Sequence, residues 1–142
     1  MEVQDTKEVS AFTFLTIADC SRFHSLSSLF LCRLYTAYPE CLGMDVTHGT
    51  NQEKRPIFRL VGRTPNNKSF PVLCVLMPCE SDWAFRLIFE TVIPELFGHS
   101  IRYLRILTTD EDWIQIQSFR AFPDIYPLAK LRYCKWHKVC KK

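Results

Sequence analysis

The chain has 142 residues, about the size of one domain, and carries a formal net charge of +3. Hydrophobic residues make up 47% of it and only 4 residues are glycine, which excludes a disordered or collagen-like protein. No apolar run approaches the roughly 20 residues of a membrane-spanning helix, and the acidic N-terminal residues do not resemble a secretory signal. We therefore expect a protein that is neither secreted nor embedded in a membrane.

Residues 1–38 predict a helical N-terminal extension. Their apolar residues recur at mixed spacing, and the serines within residues 25–28 offer helix N-caps. Pro39 stops any helix, so we place the main domain at residues 39–138 and a basic tail at residues 139–142.

Three β-rich segments separated by turn-forming residues come next, and they predict an antiparallel meander: Cys41–Thr47, Pro56–Gly62 and Phe70–Met77. Ser81 is a good N-cap for a helix that Pro94 and Gly98 would end. The remaining predicted elements are a strand over Tyr103–Thr109, a helix over Glu111–Phe119 and a short strand within Ile125–Tyr133.

This order of elements predicts an α/β fold with a mixed sheet. A strand, a helix and a second strand in succession imply a crossover between parallel strands, whereas the meander is antiparallel. Three strands, a helix, a strand, a helix and a short strand form the layout of a ribonuclease H-like core.

Two aspartates lie at or near predicted strand ends. Asp45 is in the first strand of the meander, and Asp110 directly follows the strand over Tyr103–Thr109. Such carboxylates need a compensating hydrogen bond or cation, and Mg²⁺ binds one or two carboxylates together with water and phosphate. A two-acid metal site is therefore one interpretation. In the alternative, Asp110 caps the helix that begins at Glu111 and Asp45 bonds the turn at His48.

The seven cysteines show no dense spacing pattern, so we expect free thiols. Cys134 and His137 form half of a tetrahedral zinc site, with Cys140 as a third candidate ligand. A complete site needs a fourth ligand. We therefore favour a packed Cys134 and a locally hydrogen-bonded His137 over bound Zn²⁺.

The C-terminal segment carries an excess of positive charge. From Lys130 to Lys142 there are six cations and no acid, interleaved with Tyr133 and Trp136. This pattern is typical of a segment that follows a nucleic-acid backbone, and equally of a solvated terminal helix.

Four segments resemble, in order, the blocks of Mutator-like element (MULE) transposases. They are Tyr38–Asn51, Arg55–Gly62, Leu107–Asp110 and Arg132–His137, and they include an Asp-x-Thr-x-x-Thr-Asn block, a Thr-Asp block and a Cys-x-Trp-His block. The resemblance implies a ribonuclease H-like, DDE-type domain that uses Mg²⁺ or Mn²⁺ to cleave a DNA strand and join it to target DNA in transposition. It also implies a protein that binds DNA and, as transposases commonly do, acts as a homo-oligomer. We expect the protein in the nucleus or the cytoplasm.

By this resemblance, Asp45 and Asp110 match the first two catalytic, metal-binding acids, and Cys134 and His137 match the family's Cys-x-x-His element. Glu80 matches a commonly acidic position, but we interpret it as a helix-start residue that suits the helix dipole. The family's third acid, a glutamate downstream of His137, has no counterpart in the sequence.

The missing third acid leads us to expect a truncated domain that is inactive or nearly inactive by itself. One alternative is a domesticated module that binds DNA or a protein partner without catalysis. Another is a non-functional remnant of a transposable element.

Overall fold

The computed structural model of the chain describes residues 12–15, 24–110 and 112–135. The strands are β1 (Phe12–Leu15), β2 (His24–Ser28), β3 (Cys41–Thr47), β4 (Ile57–Arg63), β5 (Ser69–Leu76), β6 (Ile106–Thr109) and β7 (Lys130–Tyr133). The α-helices are α1 (Leu29–Ala37), α2 (Asp82–Leu87), α3 (Ile93–Phe97) and α4 (Trp113–Arg120). A π-helical turn (Ile88–Val92) joins α2 to α3, and a 3₁₀ helix (Gly98–Tyr103) follows α3. None of the described helices is long and apolar enough to cross a membrane.

All seven strands belong to one sheet, in the order β1-β2-β5-β4-β3-β6-β7. β3, β4 and β5 are antiparallel neighbours in chain order, whereas β6 pairs in parallel with β3 and β7 in parallel with β6. The predicted α/β class, the meander and the parallel crossovers are therefore confirmed.

The prediction of a helical N-terminal extension is wrong for β1 and β2. These two strands form an antiparallel pair, and β2 then pairs with the edge of β5. An unpaired strand edge offers a row of N–H and C=O groups to another strand. The pairing of β2 with the edge of β5 outweighs the helical preference of the local sequence. Ser25 and Ser27 are buried at alternate positions of β2, which is the spacing of one face of a strand. The hydroxyl of Ser27 donates to the carbonyl of Val72 at 2.8 Å. Among the described residues of this segment, the helical part is α1.

Pro94 does not end the helix that begins after Ser81, contrary to the sequence prediction. The helical path continues through the π turn into α3, with Pro94 in its first turn, and Gly98 ends it at φ +54°. Proline lacks an N–H and its ring crowds the preceding turn, which the wider π turn accommodates. The hydroxyl of Tyr126 donates to the carbonyl of Phe89 at 2.6 Å and satisfies an acceptor within that turn.

Two other boundaries differ from prediction. β6 begins at Ile106 rather than at Tyr103, because the residues up to Tyr103 form the 3₁₀ helix. α4 begins at Trp113, after an N-cap at Asp112.

The helices pack on one face of the sheet, where the core is aromatic. Phe58 of β4 meets the ring edges of Phe85 and Phe89, with centroids 6.2 and 5.9 Å away, and Phe89 also contacts Phe119 and Tyr126. Along β4 every second residue is buried and the residues between are exposed or half-buried. We call the opposite side of the sheet, formed by the alternate residues of β3 to β7, the open face.

Candidate metal centre

Five strands of the sheet end at one edge. β3, β6 and β7 are parallel, and β5 runs in the same direction because two antiparallel pairings separate it from β3. Two further antiparallel pairings separate β1 from β5, so β1 runs in this direction as well. We call this side the carboxyl edge. The chain leaves it to form α2 and α4, and open α/β sheets commonly bind ligands outside the carboxyl ends of their strands.

Asp45 and Asp110 both lie at the carboxyl edge. β3 and β6 pair in parallel as far as Gly43 opposite Thr108, so each aspartate lies two residues beyond the last paired residue of its segment. Asp45 follows the buried Met44 within β3, so its side chain leaves the sheet on the side opposite the helices.

The two carboxylates have different surroundings. Asp45 is exposed and stands opposite Arg59 of β4. Asp110 is half-buried, and its Oδ1 atom is enclosed without a hydrogen-bond partner in the described part of the chain. An unsatisfied buried polar group costs about 1–3 kcal/mol, and more when it is charged. A cation beside Asp110 would offset this cost.

The sequence left open two structural roles, a helix cap for Asp110 and a hydrogen bond to the turn at His48 for Asp45. The described residues show neither of them. The helix cap of α4 is Asp112, whose Oδ1 accepts the N–H of Gln115 at 2.9 Å. Asp110 therefore does not have the capping role. Between residues 24 and 110, the side chain of Asp45 makes no hydrogen bond to the turn after β3.

Asn51 and Arg55, which belong to the segments that resemble transposase blocks, hold the loop after β3 in place. The side chain of Asn51 donates to the carbonyl of Arg55 at 2.6 Å and accepts its N–H at 3.0 Å. The guanidinium of Arg55 donates to the carbonyls of Met77 at 3.1 Å and Leu76 at 3.5 Å. These contacts fix the loop against the end of β5, so both residues shape the carboxyl edge.

A histidine and a glutamate also meet at the carboxyl edge. Nε2 of His48 lies 3.1 Å from Oε1 of Glu80, which precedes the N-cap Ser81 of α2. The pair connects the loop after β3 to the start of α2. The described residues contain no group of three or more His, Cys, Asp or Glu side chains that could hold one metal ion. The candidate site in this part of the chain is therefore the aspartate pair.

The chain on either side of Asp110 is held by polar contacts. The hydroxyl of Thr109, which is buried, donates to Oε1 of Gln115 at 3.4 Å, and the N–H of Cys134 donates to the carbonyl of Thr109 at 2.8 Å. Asp112 and Gln115 were not predicted from the sequence. Their spacing is that of a capping box, which is a signal that could have found them.

Cys134 is half-buried next to β7, and it is a free thiol like the other described cysteines, Cys32, Cys41, Cys74 and Cys79. His137 and Cys140 lie outside the described residues, so zinc binding by the Cys-x-x-His element stays a prediction. The basic tail at residues 139–142 lies outside the described residues as well, and so does Trp136. Lys130, Arg132 and Lys135 are described, and all three are exposed.

The aspartate pair fits a hard divalent ion. Mg²⁺ and similar ions prefer carboxylate oxygens and are held by one or two of them, with the other positions left to water and substrate phosphate. The unpartnered oxygen of Asp110 and the exposed carboxylate of Asp45, at the same edge of the sheet, are donors of this kind.

The structure thus defines an α/β domain with paired acids at the carboxyl edge of a mixed sheet. The family model of the MULE transposase domain matches residues 41–142, which include both aspartates and most of the chain. The chain belongs to this family, and its function is related to transposition, which suggests interaction with DNA. No curated protein matches the sequence significantly.

Proposed function

We propose that the chain provides a ribonuclease H-like, DDE-type catalytic domain, in which Asp45 and Asp110 hold Mg²⁺ or Mn²⁺ against a DNA phosphate. Three features support the proposal: the family membership, the strand order β5-β4-β3-β6-β7 and the direction of each strand in it. That part of the sheet combines an antiparallel meander with two parallel strands, as the ribonuclease H-like layout requires. Action on chromosomal DNA would agree with a nuclear location.

The observation that carries the proposal is the unpartnered Oδ1 of Asp110, which lies at the same edge of the sheet as Asp45. A folded domain rarely leaves a buried carboxylate oxygen without a partner, and each such exception calls for a physical explanation. A site that is completed only when a cation arrives supplies that explanation.

The two aspartates would have different parts in the chemistry. Asp110 is held by the turn between β6 and α4, whereas Asp45 is exposed and free to adjust as DNA approaches. Asp45 and Asp110 would hold the divalent ion, and the chemistry that the ion would supply is stabilisation of the charge that develops on a phosphate during an in-line displacement. Arg59, opposite Asp45, adds positive charge on the side from which a phosphate could approach.

We further propose that this chain alone binds metal but does not cleave DNA at a useful rate. It supplies two of the three acids that the DDE-type mechanism uses, and no acid follows Asp124 in the sequence. The test is nicking of supercoiled plasmid in Mg²⁺ or Mn²⁺ by the wild-type chain and by Asp45→Ala and Asp110→Ala.

We expect no nicking above the level of the two variants. Nicking that both substitutions abolish would contradict the predicted inactivity and support the metal centre. Nicking that neither substitution changes would contradict the metal centre itself.

A second candidate function is DNA binding without catalysis, and the exposed cations Lys130, Arg132 and Lys135 favour it. Because Lys130–Tyr133 is β7, the deletion that tests it should begin after Lys135 rather than at Lys130. If the tail binds DNA, affinity will fall steeply with salt, and deletion of residues 136–142 will reduce both the affinity and the salt dependence. Unchanged binding after the deletion would contradict this function.

A further inference from the structure

A buried pair of polar side chains connects the end of β6 to α4. Thr109, the last residue of β6, is 0% exposed, and Gln115 of α4 is 2% exposed. Glutamine is mostly found at the surface of folded proteins, so a buried glutamine calls for a physical explanation. The hydroxyl of Thr109 donates to Oε1 of Gln115 at 3.4 Å. The bond is long, but both residues are enclosed, so water does not replace it.

Gln115 is bonded to the chain on both sides of Asp110. Its side chain accepts the hydroxyl hydrogen of Thr109, the residue directly before Asp110. Its backbone N–H donates to Oδ1 of Asp112, two residues after Asp110, at 2.9 Å. One residue of α4 therefore fixes the chain before and after the aspartate.

The helix that carries Gln115 is itself fixed to the rest of the domain. Phe119 packs against Phe89 in the aromatic core, with ring centroids 5.3 Å apart. The buried hydroxyl of Ser118 donates to Oδ1 of Asp82 at 2.7 Å, which ties α4 to the start of α2. The contacts of Gln115 thus connect the end of β6 to a well-packed part of the fold.

The position of the Asp110 carboxylate requires such a support. Its Oδ1 is enclosed without a hydrogen-bond partner among the described residues, although the residue as a whole is half-buried. On a freely moving segment the carboxylate would turn toward water, because an enclosed charge without a partner is unfavourable. The contacts of Gln115 on both sides of Asp110 oppose this movement.

We propose that Gln115 is a positioning residue, which holds the carboxylate of Asp110 ready for a divalent ion without contacting the ion itself. The inference rests on the proposed function, because it concerns the same metal centre. A ligand that is already held in place loses less conformational freedom on binding, so the affinity is higher. Removal of a residue that orients a metal ligand typically lowers metal affinity by roughly 10- to 100-fold.

The first test is calorimetric titration of Mn²⁺ into the full chain and its variants. Gln115→Met keeps the length of the side chain but removes Oε1, and Thr109→Val keeps the shape but removes the hydroxyl. Each should lower the Mn²⁺ affinity about tenfold. The double variant should bind no more weakly than either, because both substitutions remove the same bond. Thr109→Ser retains the hydroxyl and should keep the wild-type affinity.

Ser118→Ala is the matched control for a general weakening of α4. It removes a buried hydroxyl from the same helix, but the bond that it breaks joins α4 to α2 rather than to β6. We expect this variant to be less stable than the wild-type chain and to bind Mn²⁺ with the same affinity.

A second test needs no metal and therefore separates the role of Gln115 from that of the metal centre. In metal-free buffer, Asp110→Asn should stabilise the wild-type chain, because it removes the charge from a carboxylate whose enclosed oxygen has no described partner. In Gln115→Met the carboxylate is free to turn toward water, so Asp110→Asn should give less than half of that stabilisation. Urea unfolding of the four proteins in this cycle measures the difference.

Several results would overturn the positioning role. They are equal Mn²⁺ affinity in the wild-type chain, Gln115→Met and Thr109→Val, an equally large loss in Ser118→Ala, and full stabilisation by Asp110→Asn in Gln115→Met. No Mn²⁺ binding by the wild-type chain would contradict the proposed function and this proposal together, and the metal-free cycle would still show whether Gln115 holds Asp110. If Gln115→Met does not fold, Thr109→Val takes its place in both tests.

Discussion

The helix-covered side of the sheet and its carboxyl edge differ in whether their buried polar atoms have hydrogen-bond partners. On the helix side, the hydroxyl of Tyr126 satisfies the carbonyl of Phe89, a backbone acceptor next to Pro94. At the carboxyl edge, Oδ1 of Asp110 is equally enclosed but has no partner among the described residues. Exceptions of this kind are expected at functional sites, so the contrast separates the residues that stabilise the fold from those available for binding.

The first prediction concerns the centre of the aromatic core. Phe89→Ala should lower the free energy of unfolding by about 3–5 kcal/mol, because Phe89 contacts Phe58, Phe119 and Tyr126 and is 1% exposed. Urea unfolding measures the change. Trp113→Ala is the matched control: Trp113 is 68% exposed, and its loss should cost about 0.5 kcal/mol or less. Similar losses for both variants would contradict the assignment of the core.

The second prediction is an alkaline loss of stability. Burial raises the pKa of Tyr126 and Tyr35 well above the ordinary tyrosine value, so both stay protonated in the folded protein. Above about pH 10 the unfolded chain loses these protons and the folded protein does not, which should lower the stability by about 1.4 kcal/mol per pH unit for each tyrosine. Unfolding in urea between pH 8 and 11 measures the slope. A slope that Tyr126→Phe leaves unchanged would contradict the prediction.

The third prediction tests the hydrogen bond beside the π turn. Tyr126→Phe leaves the carbonyl of Phe89 without its donor and should cost about 2 kcal/mol at pH 7. Tyr35→Phe is the control, because the hydroxyl of Tyr35 lies 3.4 Å from the carbonyl of Pro39 and makes a much weaker bond. We expect a smaller loss for Tyr35→Phe, and equal losses would argue against the role given to Tyr126.

The smallest effect is expected at the carboxyl edge, and it has the opposite sign. In metal-free buffer, Asp110→Asn should raise the free energy of unfolding by about 1 kcal/mol, because it removes the charge from a half-buried carboxylate whose enclosed Oδ1 has no partner among the described residues. Asp45→Asn should have almost no effect, since Asp45 is exposed. A loss of stability in Asp110→Asn would mean that the carboxylate is satisfied in the folded protein.

The sequence predicted the elements whose signal is local. β3, β4 and β5 follow from β-rich segments bounded by turns, and the family resemblance found the family to which the chain belongs. β1 and β2 were missed because their pairing with the edge of β5 is a tertiary effect. Pro94 misled the helix prediction because a π turn and the hydroxyl of Tyr126 compensate for the missing N–H.

Part of the candidate site was also visible in the sequence. Asp45 and Asp110 were identified from their positions near strand ends, but their alignment depends on the parallel register of β3 and β6, which spacing along the chain does not determine. The contact between His48 and Glu80 joins distant segments and carried no local signal. Asp112 and Gln115 did carry one, in the spacing of a capping box.

The most direct test of the metal centre is calorimetric titration of Mn²⁺ into the wild-type chain, Asp45→Asn, Asp110→Asn and Glu95→Gln, which alters an exposed acid on α3. We predict one binding site in the wild-type chain, an affinity at least tenfold lower in each aspartate variant and no change in Glu95→Gln. Equal affinity in all four proteins, or no binding in the wild-type chain, would contradict the assignment of Asp45 and Asp110 as metal ligands.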